Sequence, residues 1–217
     1  MRVLYGGTFD PVHAGHLAVA VAARDALQAG VALVPAADPP HRPPPGATAA
    51  QRATMVALAI DGRTGLSLDR RELRRAGPSW TVTTLEEVRA EIGASAPLAW
   101  LLGADAFLGL PAWHRWEALF DLAHFVVAVR PGHPLAPLPT ELAAVVDDRR
   151  AADPGPLARA PAGRVLRLEL PPHPASSSAV RQRLRGGQDT GGWLAPAVAG
   201  YIRDHGLYTG DARNPGV

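Results

Sequence analysis

The 217-residue sequence contains no cysteine and no lysine. The first absence excludes disulfides, thiolate metal sites and a cysteine nucleophile. The second excludes Schiff-base chemistry and a Walker-type phosphate loop, and it leaves anions to arginine, histidine and backbone N–H groups. No apolar run approaches the roughly 20 residues of a membrane helix, and residues 1–7 lack the apolar core of a secretion signal. The chain therefore reads as soluble and cytoplasmic, with no membrane partner. An excess of one charge is also missing, since 22 arginines face 20 acids for a net charge of +2. The pI of about 9.6 follows from arginine staying protonated at high pH and is no sign of a nucleic-acid partner. With 47% hydrophobic and 19% charged residues, the chain can build a core and is not disordered as a whole.

Short apolar runs at 3–5, 31–35, 98–102, 125–129 and 165–168 suit strands buried on both faces of a parallel sheet. Helical patterns at 16–28, 50–60 and 83–92 lie between them, each followed by a glycine at 30, 62 or 93. This alternation predicts an α/β fold with a doubly wound, Rossmann-like parallel sheet. Two more helical patterns, at 177–185 and 196–205, give a small helical C-terminal part at 176–208. Two segments break the order. The stretch 36–47 holds five prolines between Asp38 and Gly46, and 131–163 is rich in Pro and Ala. Both are expected as loops, the second as an insertion with one short helix around 141–146. No composition shift marks a boundary, so 1–217 is expected to be one domain.

The most informative stretch joins the first strand to the first helix: Gly6-Gly7-Thr8-Phe9-Asp10-Pro11-Val12-His13-Ala14-Gly15-His16-Leu17. Ligands of open α/β sheets collect at the carboxyl ends of strands, and a helix amino terminus offers unpaired N–H groups to anions. Two adjacent glycines would let a phosphate approach the backbone. His13 and His16, three apart with Gly15 between them, could both donate to one phosphate. An isolated pair of this kind could equally cap the helix or begin a metal site, although the sequence offers no obvious further ligands. Asp10 reads as structural, holding the Asp-Pro turn.

Gly6 through Leu17 resembles the signature of the nucleotidylyltransferase superfamily, built on a His-x-Gly-His element. Further segments are similar to bacterial nicotinate-nucleotide adenylyltransferases. They are Pro39-Pro40-His41-Arg42, Arg71-Glu72-Leu73, Pro78-Ser79-Trp80-Thr81 with Thr84-Leu85, Gly103-Ala104-Asp105, Trp113, Arg130-Pro131-Gly132, Ser176-Ser177-Ser178-Ala179-Val180-Arg181 and the stretch 201–208. The resemblance spans nearly the whole chain. It implies that ATP and nicotinate mononucleotide react to nicotinate adenine dinucleotide and pyrophosphate, with Mg²⁺ held mainly by the ATP phosphates and no metal ligands from the protein.

Residue by residue, the resemblance gives His13, His16 and Arg181 the catalytic charge. It places Gly6, Gly7, Thr8, Phe9, His16, Gly103, Asp105, Ser176, Ser177, Ser178 and Arg181 on ATP. His41, Arg42 and Arg130 would meet the mononucleotide phosphate, with Thr81 lining the pyridine pocket and Trp113 stacking on the ring. The chain departs from the family pattern at Arg42, often lysine, at Trp80, often a smaller aromatic, and at Ala175, often a larger aliphatic. Plainer readings exist for several positions. Ser176 could be an ordinary N-cap, and Arg181, Arg183 and Arg185 a solvated basic face. Asp105 could be a helix cap, Trp100 core, and Arg70, Arg71, Arg74 and Arg75 a solvated face paired with Glu72 and nearby acids.

Alternatives within the superfamily are a phosphopantetheine or CTP-dependent transferase, and outside catalysis a nucleotide-binding sensor on the same fold. A class I aminoacyl-tRNA synthetase fragment shares His-x-Gly-His but needs a lysine signature that this chain cannot supply.

Overall fold

The computed structural model describes residues 1–39, 44–129, 135 and 137–209. Among them, seven strands form one sheet: β1 (Arg2–Gly7), β2 (Val31–Pro35), β3 (Leu66–Leu68), β4 (Leu98–Gly103), β5 (His124–Val129), β6 (Arg150–Ala151) and β7 (Val165–Glu169). Their order is β3-β2-β1-β4-β5-β7-β6, and every neighbouring pair is parallel. The helices are α1 (Ala14–Leu27), α2 (Ala49–Ile60), α3 (Arg71–Arg74), α4 (Thr81–Ile92), α5 (Ala104–Leu108), α6 (Leu119–Leu122), α7 (Thr140–Val146), α8 (Gly155–Arg159), α9 (Ser177–Arg185) and α10 (Pro196–Asp204).

The two-residue period of the strands sorts the core into two layers. Ala99 and Leu101 of β4 point with Tyr5, Leu33 and Val126 into a cluster completed by Ala20 and Ala23 of α1, Met55 and Val56 of α2, and Val198 and Ile202 of α10. Leu98, Trp100 and Leu102 point the other way, with Leu4, Val34 and Val127, against Leu85 and Val88 of α4, Phe107 of α5 and Phe120 of α6. A sheet covered on both faces needs apolar residues at consecutive positions, which is why these strands read as continuous runs.

The strand order reverses direction at β1. The chain moves outward through β2 and β3, then returns to the other side of β1 with β4. Such a switch point leaves a crevice at the carboxyl ends of the two central strands. Gly7 ends β1 and Gly103 ends β4, and both lie at that crevice.

The doubly wound sheet expected from the sequence is present. Strands β3 and β6 were not expected, since three and two residues carry too little pattern. The stretch from 137 to 163 is more regular than a loop. It contains the expected helix as α7, a single 3₁₀ turn, β6 paired with β7, and α8. The arginine run 70–75 is paired with nearby acids, as expected, and Arg70 and Arg74 are exposed. Arg71 pairs with Asp69 at 2.7 Å and Glu91 at 2.8 Å, and Arg75 with Glu87 at 2.8 Å. Glu72 is buried and accepts from the Thr84 hydroxyl at 2.6 Å. Among the described residues, no helix is long and apolar enough to cross a membrane.

Candidate active site

Helix α1 begins two residues earlier than its periodicity predicts, with His13 as N-cap in extended backbone. That shift places His16 at the third helical position, where its Nδ1 accepts the His13 backbone N–H at 3.3 Å. An imidazole that accepts at Nδ1 carries its proton at Nε2 when neutral, so His16 keeps a donor on its far edge. The two rings lie 3.7 Å apart between centroids, and Phe9 meets His16 edge-on at 5.1 Å. Phe9 itself adopts φ +51, a left-handed backbone unusual for an aromatic residue, and its ring is buried against Tyr5.

The glycines of this turn have internal reasons beyond phosphate access. A Cβ on Gly6 would fall 2.0 Å from the Trp100 ring, and one on Gly7 would fall 3.0 Å from the Phe9 ring. At Gly15 a Cβ would press on the His13 imidazole at 3.0 Å and the Ala175 carbonyl at 3.1 Å. Glycine between the two histidines thus lets His13 fold against the segment that leads into α9. Gly103 differs, because nothing lies within 4 Å of the position its Cβ would take.

Helix α9 faces the turn. Ser176 is its N-cap, accepting from the Ala179 N–H at 3.2 Å, and the Ser177 hydroxyl donates to the Pro11 carbonyl at 3.0 Å. Arg181, at the start of the second turn, donates to the Asp10 carbonyl at 2.6 Å and lies 3.5 Å from the Ser178 hydroxyl. The N-cap expected as the plainer reading of Ser176 is therefore real, yet 176–178 and Arg181 also line the cleft. Arg183 is half-buried and held in place, more than the plain basic-face reading has it. It stacks over Trp193 at 4.2 Å and donates to the Asp189 carbonyl, while the Trp193 carbonyl accepts from Ala14 N–H at 2.7 Å.

Asp10 does much more than hold its local turn. Its carboxylate accepts from Tyr208 at 2.6 Å, from Gly46 N–H at 2.9 Å and from Ala47 N–H at 3.2 Å, and Arg181 lies at 3.6 Å. It joins the first turn, the end of the Pro-rich loop, α9 and the C-terminal segment. Burial and the adjacent Asp10 carboxylate push the Tyr208 hydroxyl far above the ordinary tyrosine range, so it remains a donor at any physiological pH.

The other wall of the cleft comes from β4 and α4. Asp105 stands in the first turn of α5, whose N-cap is Gly103, so the helix-cap reading of Asp105 is wrong by two positions. Thr81 opens α4, and Trp113 follows a single 3₁₀ turn at Leu110–Ala112. Trp80 and His114 meet beside them with ring centroids 4.9 Å apart and planes tilted by 37°. The residues expected on ATP line the same cleft as Thr81 and Trp113, about 1410 Å³ in volume. His114, Trp100 and Glu72 line it too. Sequence reasoning gave Trp100 to the core alone, and it is both core and cleft wall. Burial raises the Glu72 carboxyl, against hydrogen bonds from Thr84 and Ser79 that favour the anion. His41, Arg42 and Arg130 lie outside the described residues.

Residues 4–183 match the cytidylyltransferase-like family. The chain is 57% identical over 214 residues to a Stenotrophomonas maltophilia protein named "Probable nicotinate-nucleotide adenylyltransferase", covering 96% of each. It is 50% identical over 213 residues to a Xylella fastidiosa protein of the same name, again over 96% of each. Among solved structures, Plasmodium falciparum nicotinic acid mononucleotide adenylyltransferase complexed with NaAD superposes with a TM-score of 0.70 at 16% identity, over 95% of this chain and 96% of that one. At that identity the likeness speaks for the fold. The sequence likeness covers 96% of the chain, and by it the chain belongs to the cytidylyltransferase-like nucleotidyltransferases and, within them, to the nicotinate-nucleotide adenylyltransferase family.

Proposed function

We propose that the chain transfers the adenylyl group of ATP to nicotinate mononucleotide, giving nicotinate adenine dinucleotide and pyrophosphate in NAD biosynthesis. One observation carries this reading: the His13/His16 turn, the α9 amino terminus with Arg181, the bare Gly103 and the Thr81/Trp113 wall all line a single cleft at the sheet's switch point. A cleft of that size can hold two nucleotides end to end, with their phosphates meeting at the helix mouths.

ATP would lie against Gly6, Gly7, Thr8 and Phe9, with its phosphates toward His16, residues 176–178 and Arg181 and its ribose toward Gly103 and Asp105. The mononucleotide would place its ring by Trp113 and Thr81 and its phosphate toward His41, Arg42 and Arg130. The first N–H groups of α4 have no partner within the helix and favour a carboxylate, which distinguishes the acid from the amide.

A phosphate oxygen of the mononucleotide attacks the α-phosphorus in line, and the bond from that phosphorus to the bridging oxygen breaks as pyrophosphate leaves. The attacking phosphate is mostly dianionic at neutral pH, so no side chain need remove a proton. Rate then comes from holding two anions in line and stabilising charge on the α-phosphate and the leaving oxygen. The His16 Nε2–H, His13 and the Arg181 guanidinium are the donors for that charge. Among the described residues no group of three or more His, Cys, Asp or Glu could hold a metal ion. Mg²⁺ would enter on the ATP phosphates and supply charge neutralisation there. The compartment proposed is the cytoplasm.

The test is pyrophosphate release with ATP or CTP against nicotinate mononucleotide, its amide counterpart and phosphopantetheine. ATP with the nicotinate form should give the highest kcat/KM. A higher value with phosphopantetheine, or none with any pair, contradicts the reading.

A further inference from the structure

Among the described residues, Arg52 of α2 is the largest side chain fully withdrawn from solvent, at 1% exposure. Burying a guanidinium is costly unless it is hydrogen-bonded, and here each of its three nitrogens donates to a main-chain carbonyl. Nε donates to Ala47 at 3.2 Å, Nη1 to Thr8 at 2.7 Å and Nη2 to Ala37 at 3.2 Å. These three oxygens come from three places: the exit of the Pro-rich loop, the first turn, and the loop's entry. Asp10 grips the exit from the other side, through the Gly46 and Ala47 N–H groups. At the entry the Ser79 hydroxyl accepts from the Ala37 and Asp38 N–H groups at 2.9 and 3.2 Å. Among the described residues, Arg52 is the side chain that bonds both ends of the loop and the turn together.

We infer that Arg52 is a positioning residue for the mononucleotide, fixing both ends of the 36–47 loop against the Thr8 turn and so setting where the loop meets the substrate phosphate. This rests on the assignment of that phosphate to the loop made above. A planar guanidinium sends donors in three fixed directions, whereas an ammonium on a flexible stem cannot reproduce them. The loop ends would then shift relative to the ATP-side turn, and small misplacements of reacting groups cost rate out of proportion to stability.

The experiment compares the parent with Arg52→Lys and Arg52→Ala, varying each substrate in turn and following melting temperature and amide exchange. Both variants should lose about 10- to 100-fold in kcat/KM for nicotinate mononucleotide, mainly through KM, with a clearly smaller rise in KM for ATP, whose Thr8 turn loses one bond. Exchange should speed up at Ala37, Asp38, Gly46 and Ala47, and low concentrations of guanidinium, unlike ammonium, should partly restore Arg52→Ala. Parental KM for the mononucleotide in a folded variant, equal rises in both KM values, or loss of the folded state in both variants would overturn the inference. Failure of the parent to use nicotinate mononucleotide would instead sink the functional reading, and the exchange pattern would still report on the clamp.

Discussion

His16 shows how one residue can serve two purposes that must be separated by experiment. Its Nδ1 caps the start of α1 through His13 N–H, and its Nε2–H is the donor proposed to meet developing charge in the transition state. His16→Ala removes both, whereas His16→Asn keeps an acceptor near the Nδ1 position and removes the far donor. Both should lower kcat by about 10²- to 10³-fold with a smaller effect on KM; near-parental kcat in His16→Asn would show that capping was the whole role. Arg181→Lys should fall by a similar factor in kcat/KM despite keeping its charge, because a forked guanidinium bridges oxygens that a point charge cannot. Arg203→Lys, at an exposed site on α10 paired only with Asp204 among the described residues, is the control and should match the parent. Equal behaviour of the two would remove Arg181 from the reaction. That the histidines and Arg181 line the cleft was legible in the sequence, because each sits in a short local motif. The roles of Asp10 and Arg52 were not, since each depends on partners from segments that only the fold brings together: Tyr208 and Gly46 for Asp10, Thr8 and Ala37 for Arg52.

At the scale of elements, β5 opens on a histidine that is fully buried. His124 accepts the Arg164 N–H at Nδ1, 3.0 Å, and its Nε2 lies 2.9 Å from the Ala160 carbonyl. With Nδ1 accepting, the neutral Nε2–H form satisfies both bonds and ties the start of β5 to the segment entering β7. Burial lowers the pKa of His124 below its ordinary 6.5. The unfolded chain therefore binds this proton more readily than the fold, and stability is lost as pH falls from about 6.5 toward the depressed folded value. A His124→Gln variant should show a smaller drop in melting temperature between pH 7.5 and 5.5 than the parent, while being less stable at pH 7.5; identical pH slopes would contradict this. The elements that sequence reading located well, β2 and α9 among them, owe their clarity to an unbroken apolar run or a serine cap. The pair β3 and β6 and the short helices α3 and α5 span too few residues for a period to show, and they exist because neighbouring strands and helices supply their partners.

Across the whole molecule, the proposed binding mode gives the switch-point cleft an ATP side built by β1, α1, α9 and the β4–α5 junction, and a mononucleotide side built by α4 and the turn before Trp113. Its carboxylate selectivity should be large. An amide presents N–H toward N–H donors of the α4 start, leaving buried groups unpaired, so kcat/KM should strongly favour nicotinate over nicotinamide mononucleotide. Equal values would show that the α4 amino terminus does not read this group. The central claim, direct adenylyl transfer between two substrates held in that cleft, is tested most directly by following ATP labelled at the α-phosphorus with excess nicotinate mononucleotide. The account predicts that the label appears in nicotinate adenine dinucleotide one for one with pyrophosphate, with none retained on the protein and no pyrophosphate formed from ATP alone. Label trapped on a histidine, or released as AMP without dinucleotide, would contradict it.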